Sequence, residues 1–233
     1  MLASRRTPKA MRVAVVVPAL NEEAALRQTL PRALAVADEL VVSDGGSADE
    51  TVEVARRLGA RVVTGPAGRG GQLNRGAAAT SAEILLFLHA DTTLPDGAIK
   101  AIRQAIAGAA LGGAFLVRFD SGGPLLRLGA WLINQRTRLT RLPLGDQAHF
   151  VTREAFEQVG GYQDWPILED LDFAWRLRRR GRLAILGLHV TTGARRFLEL
   201  GVLRTVATNW LIWLLFVLGV SPRRLARFYG QIR

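Results

Sequence analysis

The sequence contains no cysteine, so it holds neither a disulfide framework nor a thiolate metal site. The basic segment Met1 to Ala10 also lacks the apolar core of a secretory signal, and we therefore expect a cytoplasmic protein. Lysine is scarce: Lys9 and Lys100 are the only two, and arginine supplies nearly all of the formal net charge of +11. Such a surplus attracts phosphates, whether of nucleic acid, anionic lipid or nucleotides. Arginines on solvated helix faces would explain part of this surplus of positive charge without a binding partner.

Long hydrophobic runs are missing as well. The longest polar-free segment of the C-terminal region, Trp210 to Val220, would rise only about 16 Å as a helix, well short of a hydrocarbon core of about 30 Å. We therefore predict no transmembrane span and assign residues 197–233 to amphipathic helices. These helices either pack on the protein or on a second subunit, or make a peripheral contact through 197–227 with the inner face of the membrane. A homodimer is left open.

What the chain does contain is a series of short apolar runs without polar alternation, typical of strands buried on both faces. Val13–Val17, Leu40–Val42 and Ile84–Leu88 are such runs, and helical patterns separate them. The alternation predicts an α/β fold with a mostly parallel sheet flanked by helices. Asn21 suits the N-cap of the first helix, and Pro31 is expected to kink or restart that helix.

After Gly108 the pattern changes. We predict a strand at Gly112–Phe119, a helix around Leu125–Leu139, and strands near His149–Thr152 and Leu183–Leu186, which would fit antiparallel additions to the sheet. Since no linker or repeat interrupts the sequence, we expect one domain over residues 1–233. Its parts would be a donor half at 11–110, an acceptor and catalytic half at 111–196, and the C-terminal helices.

Polar residues follow several predicted strands where each strand ends: Asn21-Glu22, Asp44, the glycine-rich loop 65–76 and Asp91. The carboxyl ends of parallel strands share one edge, so these residues predict a common crevice. His89 and Asp91, two positions apart in an extended segment, can converge on a divalent cation. The plainer interpretation is that Asp91 caps the next helix and His89 is a structural histidine.

Two further segments could carry chemistry. The loop 65–76 could bind phosphates through backbone N–H groups, with Arg69 and Arg75 as charge partners, although a flexible turn is the commoner role of such a loop. It lacks the Walker A ending, and it does not follow the first strand as a dinucleotide-binding loop would. Glu169, Asp170 and Asp172 cluster at a predicted helix start, where a carboxylate can serve as a general base.

Together these segments resemble the inverting nucleotide-sugar glycosyltransferases of family 2, which have the GT-A fold. The matching motifs cover about residues 11 to 181: Val17-Pro18-Ala19-Leu20-Asn21-Glu22-Glu23, Val42-Ser43-Asp44-Gly45-Gly46-Ser47-Ala48-Asp49-Glu50-Thr51, His89-Ala90-Asp91 and Glu169-Asp170. Gly68-Arg69-x-x-Gln72-x-Asn74-x-Gly76 and Gly145-Asp146-Gln147 resemble more narrowly a compact bacterial branch. That branch is named for its association with radical-SAM and selenoprotein genes or with arsenosugar biosynthesis.

The resemblance implies the role of each site residue. Asp170 would be the catalytic base, with Glu169 as its neighbour or substitute, and Asp91 would ligate Mn²⁺ or Mg²⁺ on the donor diphosphate. His89 stands where the family commonly has the first Asp of Asp-x-Asp, so its part in metal binding is open. The donor pocket would comprise Pro18, Asn21, Glu22, Asp44, Arg69, Gln72, Asn74, Ala90 and Asp91. Contacts to the acceptor or the diphosphate would come from Asp146, Gln147, Arg195 and Arg196.

The predicted activity is therefore metal-dependent, inverting sugar transfer from a nucleotide-sugar, commonly a UDP-sugar, to a hydroxyl acceptor. Two alternatives remain at this point. A sugar-nucleotide nucleotidyltransferase also uses an α/β sheet, a glycine-rich loop and a metal-binding Asp, but its loop is expected after the first strand. A basic nucleic-acid-binding protein would gather its arginines on one face with exposed aromatics, whereas here they spread along nearly every helix. We expect no nucleic-acid partner.

Overall fold

A computed structural model describes residues 11–230, apart from the side chains of Arg196 and Tyr229. The strands are β1 Val13–Ala19, β2 Glu39–Asp44, β3 Arg61–Thr64, β4 Ile84–Phe87, β5 Gly112–Phe119, β6 His149–Thr152 and β7 Leu183–Thr192. The helices are α1 Glu23–Leu34, α2 Thr51–Arg57, α3 Arg69–Ala78, α4 Ala98–Ala107, α5 Pro124–Thr140, α6 Arg153–Gln158, α7 Glu169–Arg180, α8 Arg195–Leu200, α9 Val202–Val217 and α10 Pro222–Gly230.

The strands form one seven-stranded sheet in the order β3-β2-β1-β4-β6-β5-β7. β1 pairs in parallel with β2 and β4, and β3 pairs in parallel with β2. β6 runs antiparallel to both β4 and β5, and β7 is parallel to β5. The predicted α/β class is confirmed. Of the three later strands expected to fit antiparallel additions, β6 is antiparallel, whereas β5 and β7 run in the same direction as the first four strands. The start of β6 and the ends of the other strands therefore meet at one edge.

The core lies on both faces of the sheet, as continuous apolar strands require. On β1, Val13, Val15 and Val17 pack with Leu26 of α1 on one face. Val16 lies on the other face, in a cluster that includes residues of α3, β4 and α7. A Cβ atom on Gly76 of α3 would lie 2.4 Å from Cγ1 of Val16, so a glycine is needed for the close approach of that helix.

Three local predictions are wrong. α1 continues through Pro31 without a break, because the proline falls in its last turns and removes a single backbone hydrogen bond. Asn21 is not the N-cap of α1; Glu22 occupies that position, without a side-chain capping bond. Most of the glycine-rich segment is not a loop, since α3 begins at Arg69.

The C-terminal helices α8–α10 pack on the sheet domain through one side. Phe197 of α8 contacts Phe119 at the end of β5, with ring centroids 4.5 Å apart. Trp213 and Phe216 of α9 pack against a buried cluster that contains Leu171 of α7. Within residues 11–230, no helix is both long and apolar enough to cross a bilayer.

Candidate active site

A cavity of about 580 Å³ opens at the edge where the parallel strands end. Its size is that of a small-molecule site. The predicted residues that line it come from β1, α3, the segment after β4, the turn before β6 and the start of α7. They are Pro18, Glu22, Arg69, Gln72, His89, Ala90, Asp91, Asp146, Glu169 and Asp170.

Asp91 and His89 extend from the end of β4 into this cavity. Burial raises the pKa of the Asp91 carboxyl, with hydrogen bonds from Thr92 and the backbone opposing the shift. Burial holds the pKa of His89 well below its usual value, and the positive charge of Arg69 lowers it further. The imidazole is therefore neutral at pH 7, the form in which a histidine can donate a lone pair to a metal.

Asp170 is held by two backbone donors. Its Oδ2 accepts a hydrogen bond of 2.6 Å from the N–H of Gly145, and its Oδ1 accepts one of 2.7 Å from the N–H of Leu171. A Cβ atom on Gly145 would lie 2.8 Å from Nε2 of His89 and 3.1 Å from Oδ2 of Asp170. The glycine thus lets both side chains approach the same point of the cavity wall.

Glu169 is buried beside Asp170, with 2% of its surface exposed. Its Oε1 lies 3.5 Å from Nη1 of Arg69, an ion pair that joins the first residues of α3 and α7. Burial, and next the negative charge of Asp170, raise the pKa of Glu169 to about 7, while Arg69 opposes the shift. Arg69 therefore links the sides of the cavity that α3 and α7 form.

We expect Glu169→Gln to be more stable than the wild type at pH 8 and equal to it near pH 4. Between the ordinary pKa of 4.5 and the folded value of about 7, the folded state binds more protons, so the free energy of unfolding falls as pH rises. Glutamine mimics the protonated acid and escapes that loss, which is about 3 kcal/mol. Chemical denaturation at both pH values measures it, with exposed Glu53→Gln as control. A gain that does not depend on pH would contradict this account.

Asp146 is the second acid with a strongly perturbed environment. Burial raises its pKa to about 6, with Arg136 opposing the shift and Asp170 adding to it. Its Oδ1 atom is buried without a hydrogen-bond partner. Glu22, the N-cap of α1, also has a raised pKa. Burial is the main cause, and the negative charge of Asp91 adds to it. The cavity therefore concentrates carboxylates that a bound cation would stabilise.

Two predicted donor-site residues shape a neighbouring turn instead of lining the cavity. Asp44 is buried and accepts hydrogen bonds from the N–H groups of Gly46 and Ser47. Asn21, which has a left-handed backbone with φ of 55°, accepts a 2.8 Å bond from the N–H of Ala48 through its Oδ1. Asp44 thus fixes the turn after β2, and Asn21 ties that turn to the segment after β1.

The remaining predicted residues also lie outside the cavity wall. The Asn74 amide pairs with the backbone of Tyr162 by two bonds, of 2.8 and 2.9 Å. Gln147 is fully buried and bonds to Thr137 and to backbone groups. The Arg195 side chain is exposed and pairs with Glu199 at 3.0 Å. The Arg196 side chain lies outside the part of the molecule that the structure describes.

Sequence reasoning missed the far wall of the cavity, which α8 and α9 provide. Phe197, Asn209, Ile212 and Trp213 line it. The Nε1 atom of Trp213 is buried without a hydrogen-bond partner. The sequence showed apolar residues all round this helix, which indicates burial or an interface but not a cavity wall. A Cβ atom on Gly193 would lie 2.9 Å from Oδ2 of Asp91, but a single glycine does not indicate this approach in the sequence.

Two relatives of known function match parts of the sequence. Glucosyl-3-phosphoglycerate synthase of Mycobacterium tuberculosis H37Rv is 38% identical over 96 residues, which is 36% of this chain and 30% of the synthase. Beta-monoglucosyldiacylglycerol synthase of Trichormus variabilis is 27% identical over 198 residues, which is 71% of this chain and 41% of that protein. The chain thus spans well under half the length of these curated relatives.

Solved structures share the fold. The Mycobacterium tuberculosis glucosyl-3-phosphoglycerate synthase, in complex with Mn²⁺, UDP and glucosyl-3-phosphoglycerate, aligns with a TM-score of 0.59 and 27% identity over 88% of this chain and 80% of its own. A mannosyltransferase of Pyrobaculum calidifontis, in complex with GDP-Man and Mn²⁺, aligns with a TM-score of 0.65 and 20% identity over 84% of this chain and 63% of its own. The second likeness supports the fold alone.

The family profile described as Glycosyl transferase family 2 matches residues 14–156, more than half of the chain. The matched region contains β1, β4, the Asp91 segment and the Asp146 turn, and so most of the cavity wall. It favours glycosyl transfer over both alternatives raised by the sequence. From this profile match, the chain belongs to glycosyl transferase family 2.

Proposed function

We propose that the protein transfers a sugar from a nucleotide-sugar, specifically a UDP-sugar, to a hydroxyl acceptor with metal dependence and inversion. The observation that carries this proposal is the meeting of Asp91 and Asp170 in one cavity. They come from the end of β4 and the start of α7, and Arg69 of α3 lies between the two acidic segments. One wall can thus hold a diphosphate while the other accepts a proton.

The donor diphosphate fits the side of the cavity formed by Gly68 and Arg69. These residues are the N-cap and the first residue of α3, where the helix dipole favours an anion. The guanidinium of Arg69 adds a positive charge to the same place. Pro18 and Glu22, at the end of β1, are placed to contact the rest of the donor.

The residues present fit a divalent cation that is shared with the donor. In residues 11–230 no three His, Asp or Glu side chains converge to hold a metal by themselves. Mg²⁺ on nucleotides commonly takes one or two carboxylates and completes its shell with phosphates and water. Asp91 would hold the ion, and neutral His89 is a nitrogen donor that suits Mn²⁺ better. When bound, the cation would neutralise charge on the leaving diphosphate.

Asp170 is the general base in this proposal. The acceptor oxygen forms a bond to the anomeric carbon from the face opposite the diphosphate, the bond from that carbon to the diphosphate oxygen breaks, and the hydroxyl proton passes to Asp170. The backbone N–H groups of Gly145 and Leu171 fix the orientation of the carboxylate for this step. Glu169 is the neighbour of this base or its substitute, and its ion pair orients Arg69.

Asp44 and Asn21 then act as supports of the nucleotide site. We infer that the turn they hold after β2 faces the nucleobase, since it stands beside the end of β1, where the cavity begins. This leaves 11–110 as the donor half and 111–196 as the acceptor half of a single domain.

Placement in the compact bacterial branch is supported by the packing of its motif. Gln72 donates to the carbonyls of Ala19 and Ser43, which ties α3 to the ends of β1 and β2. A Cβ atom on Gly70 would lie 2.2 Å from the carbonyl oxygen of Gln163. The pattern Gly-Arg-x-x-Gln-x-Asn-x-Gly is therefore what α3 needs to pack on the sheet while presenting Arg69 to the cavity.

Thermal unfolding in the presence of UDP or GDP, with Mn²⁺ or with EDTA, tests this proposal. We expect UDP with Mn²⁺ to stabilise the protein by about 2.7 kcal/mol at a hundred times its dissociation constant, and EDTA to remove most of the effect. UMP is the matched control, because it lacks the second phosphate that shares the cation. A UDP effect that is the same with Mn²⁺ and with EDTA would contradict metal dependence, and no effect of any nucleotide would contradict the whole proposal.

A further inference from the structure

The outer side of α9 is an exposed apolar stripe. Its residues recur at helical spacing and are between 42% and 70% exposed. They are Leu203, Trp210, Leu211, Leu214, Val217 and Leu218. Soluble monomers rarely leave a continuous apolar stripe of this length uncovered. The stripe therefore needs an occupant.

The helix that packs against α9 also exposes apolar residues. α5 packs against α9, and a Cβ atom on Gly129 of α5 would lie 3.0 Å from Cγ1 of Val202. Leu125, Leu128 and Trp131 of α5 are 54%, 44% and 55% exposed. We call the exposed apolar residues of these two neighbouring helices the C-terminal apolar face.

The charged side chains on the helices of this face and on α10 are of one sign. None of the helices α5, α9 and α10 contains an aspartate or glutamate. Exposed arginines accompany the apolar residues: Arg127 on α5, Arg204 on α9, and Arg223, Arg224 and Arg227 on α10. Tryptophan and leucine beside exposed arginines are the residues with which helices bind a membrane interface, and the arginines attract anionic lipid headgroups.

We propose that the C-terminal apolar face seats the protein on an anionic lipid bilayer. A second copy of this chain is the less favourable occupant, because an isologous contact would bring two carboxylate-free sets of arginines together. A bilayer satisfies both features at once, since acyl chains take the leucines and tryptophans while phosphates take the arginines.

Binding of this face to a bilayer would also bear on the acceptor, an inference that rests on the function proposed above. The opposite side of α9, through Asn209, Ile212 and Trp213, lines the cavity. One helix, about 10 Å across, would then separate the cavity from the lipid surface. That placement suits an acceptor whose hydroxyl belongs to a lipid headgroup.

Vesicle flotation of the full chain tests the proposal. We expect the protein to float with vesicles of phosphatidylglycerol and phosphatidylcholine, to float poorly with phosphatidylcholine alone, and to be released by salt. The exposed double variant Leu211→Glu/Leu214→Glu should lower the partition coefficient by about a hundredfold. Val36→Glu is the matched control, since Val36 is 43% exposed but lies after α1 at the opposite edge of the sheet.

The outcomes separate the occupants. No flotation with the anionic vesicles, or equal flotation of the double variant, overturns the proposal. A dimer seen by light scattering that the double variant abolishes, without flotation, would assign the face to a second copy. Stabilisation by UDP with Mn²⁺ is measured on the same double variant without lipid. If it persists, the sugar-transfer site stands whatever the flotation result; if the wild type lacks it, the proposed function fails independently.

Discussion

Replacement of Asp170 by asparagine is expected to lower the rate of sugar transfer by about 10²–10⁴-fold, the usual contribution of a general base, while binding of UDP with Mn²⁺ persists. Asparagine keeps the shape of the side chain but cannot take the acceptor proton. Residue 170 lies at the start of α7. The elements that we propose to bind the donor are the ends of β1 and β4 and the start of α3. The defect should therefore appear in turnover and not in nucleotide affinity.

The structural cost of this substitution has to be separated from the chemical one. Both carboxylate oxygens of Asp170 accept backbone N–H bonds, from Gly145 and Leu171. An amide can accept only one of them and leaves the other donor unpaired, which costs about 1–3 kcal/mol. The thermal stability and the UDP affinity of the variant are measured beside its turnover, so that unfolding is not mistaken for lost chemistry.

Asp172→Asn is the matched control for this experiment. Asp172 lies two residues further along α7, pairs with Arg176 at 2.6 Å and is not part of the cavity wall. The same change of acid to amide there removes an ion pair but no proton acceptor from the site. We expect its turnover to stay near that of the wild type. Wild-type turnover in Asp170→Asn would remove Asp170 from the mechanism.

The parallel half of the fold follows from its apolar runs. Ile84–Phe87 is fully buried because it is the centre strand between β1 and β6, and unbroken apolarity is what two covered faces demand. The position of β6 between β4 and β5 was not predictable in this way. The apolar pattern of a four-residue strand does not indicate which strands it pairs with, because long-range packing decides its place in the sheet.

Predicted site residues line the cavity where their side chains project from strand ends, and lie outside it where local hydrogen bonds compete. Asp91 and Glu22 reach the cavity, but Asp44 turns back to satisfy the N–H groups of its own turn. A sequence motif does not distinguish these outcomes. Trp213 was missed for another reason: both sides of α9 are apolar, so periodicity could not tell the cavity wall from the outer stripe.

Asp91→Ala is expected to abolish the Mn²⁺-dependent part of UDP binding, a loss of at least about a hundredfold in affinity, because even outer ligands of a metal commonly contribute 10–100-fold. Asp91 is the carboxylate at the end of β4 that we propose to hold the ion. Without it the cation would have only the neutral His89 and the phosphates. The stabilisation by UDP should then be the same with Mn²⁺ and with EDTA.

The unliganded variant provides the internal test of this interpretation. Burial raises the pKa of the Asp91 carboxyl, which means that the folded protein holds its charge at a loss when no cation is present. Removal of that charge should leave the unliganded protein at least as stable as the wild type, so weaker binding would not reflect unfolding. Asp96→Asn, at a fully exposed acid five residues on, is the control. Retained Mn²⁺ dependence in Asp91→Ala would move the metal to other ligands, and His89→Ala in the same assay would show whether the imidazole is one of them.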